Sequence, residues 1–252
     1  MKEEKVMPRI DMEEYLKLPV RQTHSMTQKL GAVIGESDNR TMVADTSAEP
    51  YNAIVRLLID VDGVEYRGTG FMVKPNVMLT AGHNIYDHDA NKYCDRVYVV
   101  DRNGDLYQVY DAQIASQFKS DSSDKYDWAV AKVSVKPGET AHYMNFKRMD
   151  ESISPNVTGR DGEIAGFPME VRAVTTADMY TEMGKITSYV EAEKLLNYSI
   201  DTSGGNSGSP LIYYIDGTPY AIGIHVSGNS SGNTARAIDK DISDIINSLW
   251  TN

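Results

Sequence analysis

From Val33 onward the chain is a succession of short apolar runs separated by turn signals, and this texture restricts its fold more than any single residue does. Strand candidates lie at residues 53–60, 65–73, 77–80, 96–100, 108–112, 128–133, 161–166, 171–175, 179–186, 194–200, 211–215 and 220–225. Many are rich in β-branched and aromatic side chains, which suit a pleated, half-buried surface. Between the early ones stand Asp62-Gly63, Lys74-Pro75-Asn76 and Asn103-Gly104. Glycine and asparagine reach positive φ at little cost and proline presets a turn, so each marks a reversal of the chain. No alternation of strands with helices is present. The pattern therefore predicts barrels or a sandwich.

The period changes only at the C-terminus. Ile242, Ile245, Ile246, Leu249 and Trp250 recur at helical spacing, with Asp239 or Asp241 placed to cap the start. They predict a helix packed by one face against the second half of the protein. A break near residues 141–157 divides the body into two comparable β halves. Residues 1–32 stand apart, mixing charges with single apolar residues. A short helix over residues 12–18 followed by a linker is predicted there, and a detachable pro-segment or a surface arm both explain it.

The 252 residues can bury a substantial core, as one large β domain or two smaller ones sharing a cleft. The net charge of -11, from 25 basic and 36 acidic residues, includes no basic run able to track phosphates, so nucleic acid is not an expected partner. No span reaches transmembrane length, so no membrane partner is expected, and the absence of a hydrophobic signal core at the start fits either a cytoplasmic protein or one whose signal has been removed. Cys94 stands alone, so no intrachain disulfide can form.

Chemistry concentrates in Thr202-Ser203-Gly204-Gly205-Asn206-Ser207-Gly208-Ser209-Pro210, between two strand candidates. A serine hydroxyl is a poor nucleophile at neutral pH and needs a base in reach and donors for the oxyanion it creates. The flanking glycines allow the N–H groups of Gly205 and Ser207 to converge on one point, although a small-residue hairpin loop is the plainer reading of this segment alone. His83, in Thr80-Ala81-Gly82-His83-Asn84, ends an apolar strand. Asp127 precedes another, in Tyr126-Asp127-Trp128-Ala129-Val130, where a carboxylate needs a partner to be buried. The imidazole N–H of His83 would be that partner, leaving its other nitrogen free to take the Ser207 proton. Each residue alone has a structural explanation. Their joint occurrence in this order and these contexts is far harder to obtain by accident.

The stretches TAGHN, YDWAVAKV and DTSGGNSGSP resemble the three catalytic motifs of the chymotrypsin-like serine peptidases in their bacterial branch. Val33-Ile34-Gly35, Asp38-Asn39-Arg40-Thr41, Pro50-Tyr51-Asn52-Ala53-Ile54-Val55 and Ala81-Gly82-His83-Asn84-Ile85-Tyr86-Asp87 narrow the likeness to the glutamyl endopeptidases of Gram-positive bacteria, over residues 32–250. The resemblance implies an all-β fold of two six-stranded antiparallel barrels with a C-terminal helix. Residues 1–32 would be the pro-segment or arm, 33–145 the barrel carrying His83 and Asp127, and 146–252 the barrel carrying Ser207 and the P1 pocket. It further implies His83 as general base, Asp127 as its orienting carboxylate, Ser207 as nucleophile, and the Gly205 and Ser207 N–H groups as the oxyanion hole.

Thr202 and His225 would contact a P1 glutamate, and Val226, Ser227 and Gly228 would lie along the substrate backbone. Activation by processing at Ala32 or Val33 would fall to another protease, since neither Gly31-Ala32 nor Ala32-Val33 follows a glutamate, unless Glu36 or an upstream glutamate is an intermediate site. Asn206 replaces the aspartate that receives the new N-terminus in many animal enzymes. Asn84 replaces a cysteine found in several Bacillus enzymes, whose partner position is Gly68, and losing that disulfide leaves the histidine loop dependent on packing. The expected protein is a secreted monomer acting on protein or peptide substrates, with no cofactor and no metal. The same peptidase with another P1 preference, or a non-catalytic module on this fold, are the alternatives. An esterase would need a Gly-x-Ser-x-Gly elbow leading into a helix, and here the serine leads into a strand candidate. Cys94 is read as a buried small residue, His24 and His142 as surface residues, and Asp87-His88-Asp89 as a loop cluster whose members rarely converge on one ion.

Overall fold

The computed structural model describes residues 31–134, 142–150, 157–169 and 178–251. The expected short helix at 12–18, the strand at 171–175 and His24 lie outside them. In chain order the strands are β1 (Thr41–Met42), β2 (Ile54–Val61), β3 (Val64–Lys74), β4 (Val77–Thr80), β5 (Tyr86–Asp87), β6 (Lys92–Tyr93), β7 (Arg96–Val100), β8 (Leu106–Ile114), β9 (Ala129–Val133), β10 (Asp161–Gly166), β11 (Tyr180–Val190), β12 (Leu195–Tyr198), β13 (Pro210–Ile215), β14 (Thr218–Asn229) and β15 (Gly232–Ala237). The helix α1 spans Lys240–Thr251.

Strands β2-β3-β4-β9-β8-β7 close into one antiparallel barrel. The order β11-β10-β13-β14-β15-β12 closes into a second through the β11–β12 pairing, with β1 added outside β11. These are the two six-stranded barrels that the motifs implied. The β2–β3 hairpin pairs Val61 with Val64. Its turn residues Asp62 and Gly63 have φ of 52° and 71°, the positive pair a tight hairpin demands.

Period-two alternation explains how each wall is filled. In β2, Val55, Leu57, Ile59 and Val61 point into the first barrel with Val97, Val99 and Ala131. The second barrel is filled by Ile164, Ile186, Leu196, Tyr198, Leu211 and Ile222. A further apolar cluster joins the two barrels and the helix, running through Phe71, Leu79, Val130, Phe167, Ile224, Ile242, Ile246 and Leu249.

Asp239 caps α1, its Oδ1 accepting the Ile242 N–H at 3.2 Å, while Arg236 and Lys194 hold its other oxygen at 2.8 and 2.5 Å. The helix corrects one expectation. It packs on β4 and β9 of the first barrel rather than remaining on the second half. The outer faces of those strands offer Val77, Leu79 and Val130, and Ile242, Ile246 and Leu249 are buried in the same cluster. Burial of each such side chain is worth about 1.5–3 kcal/mol.

Candidate active site

His83 sits in a short 3-10 turn, Gly82–Asn84, that follows β4. Asp127 ends a second such turn, Asp124–Tyr126, just before β9, and its side chain is fully buried. Because β4 and β9 are paired, the two turns lie side by side at one end of the barrel. Both carboxylate oxygens are used: Oδ1 accepts the His83 backbone N–H at 2.9 Å and Oδ2 lies 2.8 Å from His83 Nδ1. A buried carboxylate held at two points fixes the ring and calls for a proton on Nδ1, which leaves Nε2 as the basic nitrogen.

Ser207 comes from the second barrel, in the loop between β12 and β13. Gly205 and Gly208 have φ of 92° and 90°. A Cβ would stand 2.4 Å from Phe167 O at Gly205 and 2.0 Å from Thr69 O at Gly208, so both conformation and space require glycine. Neither the Gly205 nor the Ser207 N–H is taken up by a hydrogen bond among the described residues. The Ser207 carbonyl is anchored to the first barrel, accepting from Thr69 N and from Asn84 Nδ2, each at 2.9 Å. This brings Ser207 beside the histidine turn. No hydrogen bond joins Ser207 Oγ to His83 Nε2 in this resting geometry, and such bonds commonly tighten only with substrate bound.

Thr202, His225 and Val226 are buried beside the Ser207 loop, where His225 O accepts Gly208 N at 2.8 Å. Thr202 Oγ1 and His225 Nε2 have no hydrogen-bond partner among the described residues. Burial, with a smaller contribution from the charge of His83, pushes the His225 pKa down to about 3, so the ring is neutral at neutral pH. Beyond Ile224, β14 no longer pairs with β13, so the stretch through Ser227 and Gly228 has β15 as its sheet neighbour and, among the described residues, no strand paired on the other side. The Ser227 hydroxyl donates to the Asp124 carboxylate.

Ala32 is held by both groups of the Asn233 amide, at 2.9 and 2.7 Å, and by Thr202 N at 3.0 Å. Val33 is partly exposed, and Asp201 accepts Ile34 N at 2.6 Å. Gly31 lies against the same two side chains: a Cβ on it would stand 2.0 Å from Thr202 Oγ1 and 2.9 Å from His225 Nε2.

The remaining candidates are structural. Cys94 packs beside the first barrel's core and burial raises its thiol pKa to about 12. His142 is exposed near Arg102. Asp87 caps the N–H groups of Asp89 and Ala90, and His88 stacks edge-on against Phe118. Among the described residues no three His, Cys, Asp or Glu side chains are grouped to hold a metal ion. Sequence reasoning missed Asn84 as a hydrogen-bonding group, and it missed Asn233, Asp201 and Tyr198. The one available signal was a polar residue within or beside an apolar strand, since burying it demands a partner.

The model of the trypsin-like peptidase domain matches residues 68–224. The chain is 33% identical over 235 residues to a Bacillus subtilis protein named extracellular metalloprotease, covering 90% of this chain and 72% of that one. It is 29% identical over 250 residues to the glutamyl endopeptidase of Bacillus licheniformis, covering 94% and 73%. Among solved structures, a Glu endopeptidase in complex with MPD superposes with a TM-score of 0.72 at 28% identity, covering 88% of this chain and 100% of that one. A buried carboxylate holding a histidine, a glycine-flanked serine across a two-barrel cleft and these likenesses converge, and the chain belongs to the trypsin-like peptidase family as a serine endopeptidase.

Proposed function

We propose that this chain cleaves peptide bonds after glutamate, and less well after aspartate, with His83, Asp127 and Ser207 as its triad. Ser207 Oγ attacks the scissile carbonyl as His83 Nε2 takes its proton. The oxyanion accepts from the N–H groups of Gly205 and Ser207. Collapse expels the amine, which leaves with the proton from His83, and a water activated by the same nitrogen then hydrolyses the acyl-enzyme. Asp127 stays ionised throughout and holds the ring.

The observation that carries the glutamate preference is the unpartnered pair Thr202 Oγ1 and His225 Nε2. A carboxylate entering a buried site must find donors, and a hydroxyl with an imidazole N–H supplies two. Substrate backbone would add to the open edge at Val226, Ser227 and Gly228. The closeness of Gly31 to Thr202 Oγ1 and His225 Nε2 supports activation by processing: with the chain uncut, a P1 side chain reaching these groups and Gly31 would compete for one space. Cleavage before Ala32 or Val33 by another protease clears it. The name of the B. subtilis relative, an extracellular protein, supports secretion, and the substrates would be proteins or peptides met by a monomer.

The test is a digest of a denatured protein with chain processed to begin at Ala32 or Val33, beside unprocessed chain and Ser207→Ala, reading every new terminus by mass spectrometry. Cuts after Glu made by processed wild type alone are the expected result. Cuts after other residues would remove the role given to His225, and no Ser207-dependent cleavage in either form would remove the enzymatic reading.

A further inference from the structure

The chemistry of the pocket turns on a side chain that lies beneath it. Tyr198, at the end of β12, is fully buried, and its hydroxyl is 2.5 Å from His225 Nδ1. Burial holds the phenol pKa well above its ordinary value, so the group keeps its proton. That proton has to be placed. Among the described residues the Tyr198 hydroxyl has His225 as its hydrogen-bond partner, and a neutral imidazole presents either a donor or an acceptor at Nδ1. If Nδ1 carried the hydrogen, it would donate to the phenolic oxygen and leave the phenol's own proton buried without an acceptor. If Nδ1 is bare, the phenol donates to it and both ends of this contact are satisfied. The imidazole hydrogen then sits on Nε2, the nitrogen that lies with Thr202 Oγ1 against Gly31 and has no hydrogen-bond partner of its own.

We propose that Tyr198 is a positioning residue that sets His225 in its Nε2–H tautomer and thereby fixes the pocket as a donor site selecting a P1 carboxylate over its isosteric amide. This rests on the reading of Thr202 and His225 as the P1 pocket. A glutamate oxygen requires a donor from the histidine, whereas glutamine, carrying both an acceptor and a donor, is satisfied by either tautomer. Without the phenol, binding glutamate would still require Nε2–H but would leave Nδ1 bare, buried and unpartnered. Glutamine escapes that penalty by using the other tautomer. The Glu-to-Gln preference therefore depends on a hydroxyl that never touches substrate.

The experiment compares the wild type with Tyr198→Phe on two peptides differing only in Glu or Gln at P1, both proteins taken through the same processing. The expected result is a fall of tenfold or more in kcat/KM for the Glu peptide, with the Gln peptide changed by less than threefold. Equal losses on both peptides would mark a structural role and overturn the proposal, as would no loss on either. A wild type without preference for Glu would instead overturn the pocket reading. Nitrogen-15 spectra of the full chain in the Ser207→Ala form, with the His225 signals identified by their absence from His225→Leu, read the tautomer even if Tyr198→Phe does not fold. A protonated Nε2 and bare Nδ1 at neutral pH are expected. The reverse tautomer, or an imidazolium, would overturn the proposal.

Discussion

His225 is a histidine enclosed without an opposite charge, and that has a consequence for the stability of the protein in acid. Its pKa is about 3 in the folded chain against 6.5 for the free side chain, chiefly because burial penalises the imidazolium. The sign follows from proton counting. Above about pH 6.5 neither state binds the proton, and stability is at its full value. As pH falls from about 6.5 toward 3 the unfolded chain binds a proton that the folded chain refuses, and stability is lost at up to roughly 1.4 kcal/mol per pH unit. His225→Leu removes this titration while leaving the other groups in place. Urea unfolding of both proteins between pH 4 and 7, in the Ser207→Ala background, should give a pH slope shallower in the variant by up to about that amount. Parallel slopes would mean that His225 titrates in the folded chain much as it does in water. The substitution also strands the Tyr198 hydroxyl, but that lowers stability at every pH and leaves the slope unaffected.

At the scale of single elements, the turn that carries His83 is tied down by its neighbour. Asn84 is buried and its Nδ2 donates to Thr80 Oγ1 at 2.8 Å and to Ser207 O at 2.9 Å, so one amide connects the end of β4 to the Ser207 loop. It fills the space above Gly68, where a Cβ would stand 2.7 Å from its side-chain nitrogen and oxygen. The positions that the resemblance paired as a lost disulfide do face each other, with a hydrogen-bonded amide between them. Asn84→Ala should lower stability by about 1–3 kcal/mol, since it leaves buried partners short of a donor. Labelling of Ser207 by a fluorophosphonate should slow at the same time, because the Ser207 carbonyl loses one of its two anchors. A variant that labels at the wild-type rate would show that Thr69 N alone positions Ser207. Strands such as β2 and β9 were legible because most of their residues are apolar, whereas β15, with the sequence GNTARA, carries almost no β signal and is made a strand by its pairing with β12 and β14. The amphipathic pattern of α1 showed that one face would be buried. It could not show that β4 and β9, distant in sequence, would cover it.

In the whole molecule the site exists only where the barrels meet, which is why its members were legible as motifs while its supports were not. His83, Asp127 and Ser207 stand in distinctive local contexts, but Thr69 is an unremarked threonine in β3 and becomes decisive only through the fold. Fully buried, its Oγ1 donates to Gly205 O at 2.8 Å and accepts from Phe167 N at 3.1 Å, while its N–H donates to Ser207 O at 2.9 Å. One residue of the first barrel thus holds three points of the second. The apolar cluster shared by the barrels and α1 surrounds this polar hub, so neither barrel can separate without exposing Phe71, Phe167, Ile224 and Ile246 to water. The two barrels should accordingly unfold together, although chains of this size often show intermediates. In the Ser207→Ala chain, near-ultraviolet and far-ultraviolet circular dichroism should trace one coincident transition in urea. Thr69→Val keeps the shape but strands Gly205 O and Phe167 N in a dry interface, at a cost of about 1–3 kcal/mol for each group left unsatisfied. It should move the midpoint to lower urea with the slope unchanged and both probes still coincident. Two separated transitions in the parent chain would show that the barrels are independent units, and the hub at Thr69 would then align the site without contributing to a common fold.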